Sequence, residues 1–159
     1  MALPLLSVVG ASNHLPEDEA LGALYDRFLV RVVCDRVPDD RLGDVLRAGW
    51  SLDAEERDAG RPVPVDDVRE LHRALPEVSL DAVHEGFVRL VQQARGAGVA
   101  LSDRRAVKVQ RLVAASALLC ERAEARTSDL WVFRHLWDTV EQHEILSGLV
   151  DDAIGDIAG

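Results

Sequence analysis

VSLDAVHEGFVRLVQQARGAGVALSDRRAVKVQRLVAASALLCERAEARTSDLWVFRHLW, residues 78–137, decides the fold of this chain. Val83, Phe87, Leu90 and Val91 recur at helical spacing, the stripe of a helix with one buried face. Ser79 is placed to cap that helix, and the GAG at 96–98 breaks it. Ser102 caps the next helix, with Asp103 in its first turn, where negative charge meets the positive end of the helix dipole. From 112 to 120 nearly every residue is apolar, so this helix is expected to be central. Ser128 starts another helix, and 140–157 forms a last one whose acidic end, VDDAIGDIAG, frays.

Helices also precede this stretch. Residues 66–75 predict a short helix stopped at Pro76, and 50–64, polar and containing Gly60, Pro62 and Pro64, read as a surface loop. Before the loop, 40–48 predict a helix with Leu42, Val45 and Leu46 as its stripe; Pro38, Asp39 and Asp40 start it and Gly49 ends it. The first residues have a different pattern. PLLSVVG at 4–10 reads as a buried strand with Asn13 just past its end, 19–27 as a short helix, and FLVRVVC at 28–34 as a second strand. Two apolar strands cannot cover both faces of a sheet, so this part reads as cut from a larger unit.

Composition sets the outer bounds. With 159 residues there is room for one ordinary domain, or a small one plus part of another, and 48% apolar with 29% charged residues makes the chain globular. A net charge of −10 repels a phosphate backbone, which argues against nucleic acid as a partner. There is no leader-like start and no apolar run near the ~20 residues that span a bilayer, so a cytoplasmic, non-membrane protein is expected. Cys34 and Cys120 lie far apart in apolar runs and read as buried thiols. His14, His72, His84, His135 and His143 show no HExxH, ExxH or i, i+4 pairing, so no metal site is expected, and no GxSxG nucleophile elbow is present.

Two blocks carry a family resemblance. VVGASNHLPEDEALGALYDRFLVRVVCDRVPD at 8–39 resembles the part of MoxR/RavA-type AAA+ ATPases that holds sensor 1, the arginine finger and the last core strand. Residues 78–137 are similar to the lid of the same family, with the S-x-R pattern of sensor 2 and a late T/S-D-L helix start. ALYDRF, SDRR and the LW pair at 136 and 137 lean toward the RavA-like branch. The resemblance implies a mainly α fold: a helical AAA+ lid bundle at 37–159, preceded by two short strands and a helix left over from the α/β ATPase core at 1–36.

Carried over by position, Asn13 matches sensor 1, whose amide both donates and accepts and so can hold a water in line with a phosphate. Arg27 in YDRF matches the arginine finger, thought to reach in trans into a neighbouring subunit's nucleotide, which implies a ring oligomer. Arg104 matches sensor 2 and shares a helical face with Lys108 and Arg111; Arg105, a quarter turn away, is the weaker phosphate contact. The bland readings are a turn asparagine, an ion pair between Arg27 and Asp26 or Asp35, and a solvated basic face. The family implies ATP and Mg²⁺, remodelling or maturation of client proteins, and often a von Willebrand A-domain partner.

A phosphate-binding loop requires GxxxxGK[ST], and the single lysine, Lys108, follows Ala106 and Val107. Walker A and Walker B are therefore expected to lie in an N-terminal core before Met1, and these residues alone should not hydrolyse ATP. PLLSVV and FLVRVV, deprived of partner strands, should be loosely packed or sticky. The alternative is a free-standing lid-like helical module that binds a partner. Phe133, Leu136, Trp131 and Trp137 close the bundle or form an exposed partner patch, with core packing the better reading.

Overall fold

The computed structural model describes residues 7–13, 25, 27–54 and 63–155, with only the backbone of Asp53 and Ala54. A 3-10 turn, Asp39–Arg41, runs into α1, Leu42–Ala54, and α2 spans Val65–Ala74. Then come α3, His84–Gly96; α4, Asp103–Leu119; a nine-residue 3-10 segment, Thr127–His135; and α5, Val140–Gly155. The architecture is the expected mainly α bundle.

Local signals explain most boundaries. Ser102 caps α4, its Oγ accepting from the Arg105 N–H at 3.2 Å. Gly98, at φ +84°, ends α3 by turning its N–H back to the Arg95 carbonyl, at 3.0 Å. Ser79 does not cap α3; its hydroxyl accepts from the Asp81 N–H, and its backbone pairs with Ala123 and Ala125 in a parallel bridge to Glu124. Gly49 does not end α1, which continues through Trp50 to Ala54, into what reads in sequence as a loop. A single helical glycine costs only about 1 kcal/mol and has no C-cap geometry to enforce a stop here. The helix expected from Ser128 is instead the 3-10 segment, begun at Thr127.

The core lies between α3, α4, α5 and the 3-10 segment. Phe87, Leu90, Val91 and Ala94 face inward from α3; Val109, Val113, Ala114 and Ala117 from α4; Leu146 and Val150 from α5. Phe87 and Phe133 meet edge to face with ring centroids 5.1 Å apart. Phe133, Leu136 and Trp137 are buried, as core packing requires, while Trp131 is half-exposed and donates its indole N–H to Ser116 Oγ at 3.0 Å. α4 is central, but its apolar run overshoots: Leu119 is exposed, and Glu121, at φ +56°, reverses the chain.

Two further expectations are corrected. Cys34 and Cys120 are both exposed free thiols, because Cys34 lies on an extended segment without a sheet and Cys120 sits in the turn after α4. Among the described residues, neither 7–10 nor 28–34 forms a strand, as neither has a neighbouring strand to pair with. Val8, Val9, Val32 and Val33 stay exposed, whereas Leu29 packs on the bundle. The helix expected at 19–27 falls largely outside the described residues. α1 buries none of its described side chains, and Trp50 is 83% exposed. None of the described helices is long and apolar enough to cross a membrane.

Candidate functional site

Ser102 fixes the start of α4 and thereby the directions of Arg104 and Arg105. Arg105 points inward, its side chain 12% exposed. It donates to Asp138 Oδ1 at 2.8 Å, the Leu136 carbonyl at 2.9 Å and the Ala100 carbonyl at 3.3 Å. Arg104 is exposed and makes no hydrogen bond or ion pair with the described residues. Arg105 is thus engaged within the bundle, while Arg104 on the same turn faces solvent. Arg111 leaves the shared face to meet His72 of α2, at 3.0 Å between Nη2 and Nε2.

Asp138 is itself held firmly. Its backbone N–H donates to Gln142 Oε1 at 2.8 Å, and Gln142 Nε2 donates to the Gly98 carbonyl at 3.1 Å. Its Oδ2 accepts from the Ala100 N–H at 3.2 Å. A second guanidinium reaches it from outside the bundle: Arg31 Nη1 donates to Oδ1 at 2.6 Å and also to the Trp137 carbonyl, and Nη2 to the Tyr25 carbonyl at 3.3 Å. The Arg31 N–H donates to the His135 carbonyl at 2.8 Å, and His135 Nδ1 donates to the Arg31 carbonyl at 3.2 Å. An arginine in the middle of FLVRVVC needs a buried partner, a signal available in the sequence; Asp138 as that partner was not.

Another carboxylate, Asp129, is buried, at 2% exposed, whereas Asp138 is partly buried. Arg122 grips it with a two-bond fork, 2.7 Å to each oxygen; Ser116 Oγ donates at 2.7 Å and the Arg126 N–H at 2.8 Å. Burial pushes this carboxyl up, but the bonds from Arg122, Arg126 and Ser116 outweigh it and hold it below its ordinary value. The same contact raises the Arg122 guanidinium. This network fastens the T-S-D-L start of the 3-10 segment onto α4.

Asn13 and Arg27 lie on separate segments ahead of the bundle, both exposed. Arg27 sits in a turn closed by the Phe28 N–H on the Tyr25 carbonyl, at 2.9 Å. Among the described residues no group of three His, Cys, Asp or Glu side chains converges to hold a metal ion.

Comparison with known families gives this geometry a context. Residues 66–150 match the AAA lid domain, and residues 1–73 match the MoxR domain of the MoxR-vWA-beta-propeller ternary systems. The chain belongs to the MoxR-type AAA+ ATPases. It is similar to two proteins of Methanocaldococcus jannaschii. It is 32% identical to uncharacterized protein MJ0079 over 151 residues, 94% of this chain and 39% of that protein. It is 31% identical to uncharacterized protein MJ0812 over 135 residues, 85% of this chain and 35% of that protein. The chain therefore spans less than two fifths of each relative.

In MoxR terms the matches divide these residues: Asn13, Arg27 and Arg31 fall in the MoxR-domain stretch, and Arg104, Arg105 and Asp138 in the lid stretch. What this MoxR-type chain can do chemically follows from its side chains. It presents guanidinium groups and an amide that can meet phosphate oxygens, but it contains no GxxxxGK[ST] loop to cradle them.

Proposed function

We propose that these residues supply the nucleotide-sensing groups and lid of a ring-forming ATPase that couples ATP hydrolysis to remodelling or maturation of client proteins. The observation that carries this reading is Arg104: an exposed cation on the capped first turn of a central helix, with no partner among the described residues. A guanidinium held there can take two phosphate oxygens at once and so make lid position depend on bound nucleotide.

In this reading Arg104 is sensor 2. Arg27, at the turn 25–28, is the finger that neutralises transition-state charge in a neighbouring subunit, a role worth about 10³–10⁵ in rate where it operates. Asn13 orients the attacking water. ATP and Mg²⁺ would be held chiefly by a P-loop core outside these residues, which the sequence itself does not contain. The family description, a MoxR domain working with vWA and β-propeller proteins, supports a vWA-containing partner. The exposed apolar residues of α1, Val45, Leu46 and Trp50, favour the second reading, a lid-like interaction module.

The two readings separate on Arg104→Ala in an ATPase where these residues follow a P-loop core. Sensing by Arg104 predicts a KM for ATP raised about tenfold or more, the equivalent of ~1.4 kcal/mol, with thermal stability unchanged. Unaltered ATP dependence would remove Arg104 from the site and leave the interaction module.

A further inference from the structure

Arg31, Asp138 and Arg105 form a three-member cluster whose purpose is not explained by lid stability. The pair Arg105–Asp138 is complete within the lid: Arg105 also has the Leu136 and Ala100 carbonyls, and Asp138 also has the Ala100 N–H. Arg31 is an added cation from the MoxR-domain stretch, with a side chain only 8% exposed. Two guanidiniums on one carboxylate leave an excess positive charge in a mostly buried setting, and the Nε of both arginines has no partner. Burying an extra arginine this way carries a desolvation cost that one shared carboxylate offsets only in part.

We infer that Asp138 is a positioning residue: it clasps the segment 28–33 to the first turn of α4 and so sets how Arg104 is presented relative to the ATPase core. The path is short and made of fixed geometry. Asp138 is locked at the start of α5 by Gln142, which is anchored in turn to the Gly98 carbonyl. It holds Arg105, whose backbone adjoins Arg104 and whose N–H is capped by Ser102. The same oxygen, Oδ1, holds Arg31, which the His135 backbone and ring seat in place. Loss of the carboxylate charge leaves two neighbouring guanidiniums facing each other. The segment 28–33, left with the Leu29 packing and the Arg31–His135 backbone bond, should then loosen while the apolar core, which none of the three residues builds, persists.

That Arg104 meets nucleotide belongs to the reading above; the clasp can be measured without nucleotide, so failure of one is distinguishable from failure of the other. The native thiols Cys34 and Cys120 are exposed and sit beyond the core segment and beyond α4, so spin labels on both report core-to-lid distance in the whole chain. A single narrow distance distribution is expected for the parent chain. Asp138→Asn should broaden it at least twofold and accelerate exchange of the Arg31 amide about tenfold or more, with amides of α3 and α4 unchanged. Asp103→Asn, which removes an exposed ion pair to Arg95 and a solvent-facing charge in the first turn of α4 but touches neither Arg31 nor Asp138, should change neither. Arg31→Met leaves the lid's own pair intact and should reproduce the broadening even if Asp138→Asn lowers bundle stability, whereas Arg31→Lys should recover part of the narrow distribution. Unchanged width and unchanged Arg31 exchange in both Asp138→Asn and Arg31→Met would overturn the clasp.

Discussion

Replacing Asp129 by alanine removes an acceptor that four donors share: two from Arg122, one from Ser116 and one from the Arg126 backbone. Charge-assisted bonds contribute about 1.5–3 kcal/mol each but do not add when they end on one group. The better guide is the loss of one member of a buried pair, about 3–5 kcal/mol. The Arg122 side chain keeps 19% of its exposure and can partly rehydrate, which places Asp129→Ala toward the lower end, at about 3 kcal/mol. For a body of this size that is a fall in Tm of about 10 °C. The pH dependence gives a second handle. The folded-state pKa of Asp129 lies below its unfolded value of about 3.9, so its contribution is complete above roughly pH 5 and disappears as pH falls through the folded value. Melts followed by circular dichroism should therefore show a parent-to-variant gap that is wide at pH 7 and narrows below about pH 4. A gap under about 3 °C at pH 7, or one unchanged at pH 3, would refute the reasoning.

Gly148→Ala on α5 should raise stability by about 0.5–1 kcal/mol, since a Cβ there meets nothing within 4 Å and alanine is the better helix former. Gly86→Ala should bring no such gain, because its Cβ would stand 3.3 Å from Leu130 Cδ1 in a filled core; paired chemical denaturation curves read both. An aromatic disulfide reagent should titrate both Cys34 and Cys120 promptly in the native protein; protection of either thiol until denaturant is added would contradict their exposure.

The bundle was legible because its signals are local. The stripe on α3, the Ser102 cap and the stop at Gly98 each follow from spacing or a single residue's chemistry. Where the reading missed, the deciding partner was distant in sequence or absent. FLVRVVC has the composition of a strand, but a strand exists only with a neighbour, and here the backbone of Arg31 bonds to His135 instead. Both cysteines sit in apolar runs, yet burial depends on what packs over a segment rather than on its neighbours in the chain. Asn13, Arg27, Arg104 and Arg105 were candidates only through resemblance; spacing could not foretell that Arg105 would bond to Asp138 and the Leu136 carbonyl while Arg104 stayed exposed. Asp138 and Asp129 could not be ranked from sequence, since aspartates near helix starts are ordinary and only the arrival of Arg31 or Arg122 distinguishes them.

On the proposed reading, these residues contribute to a nucleotide site that they cannot build alone. Titration of MgATP into the isolated 159-residue chain by calorimetry tests it most directly. That reading predicts no saturable heat up to about 1 mM nucleotide, because the sequence contains no GxxxxGK[ST] loop to cradle the phosphates. A stoichiometric isotherm with a Kd of about 1–10 μM would contradict it.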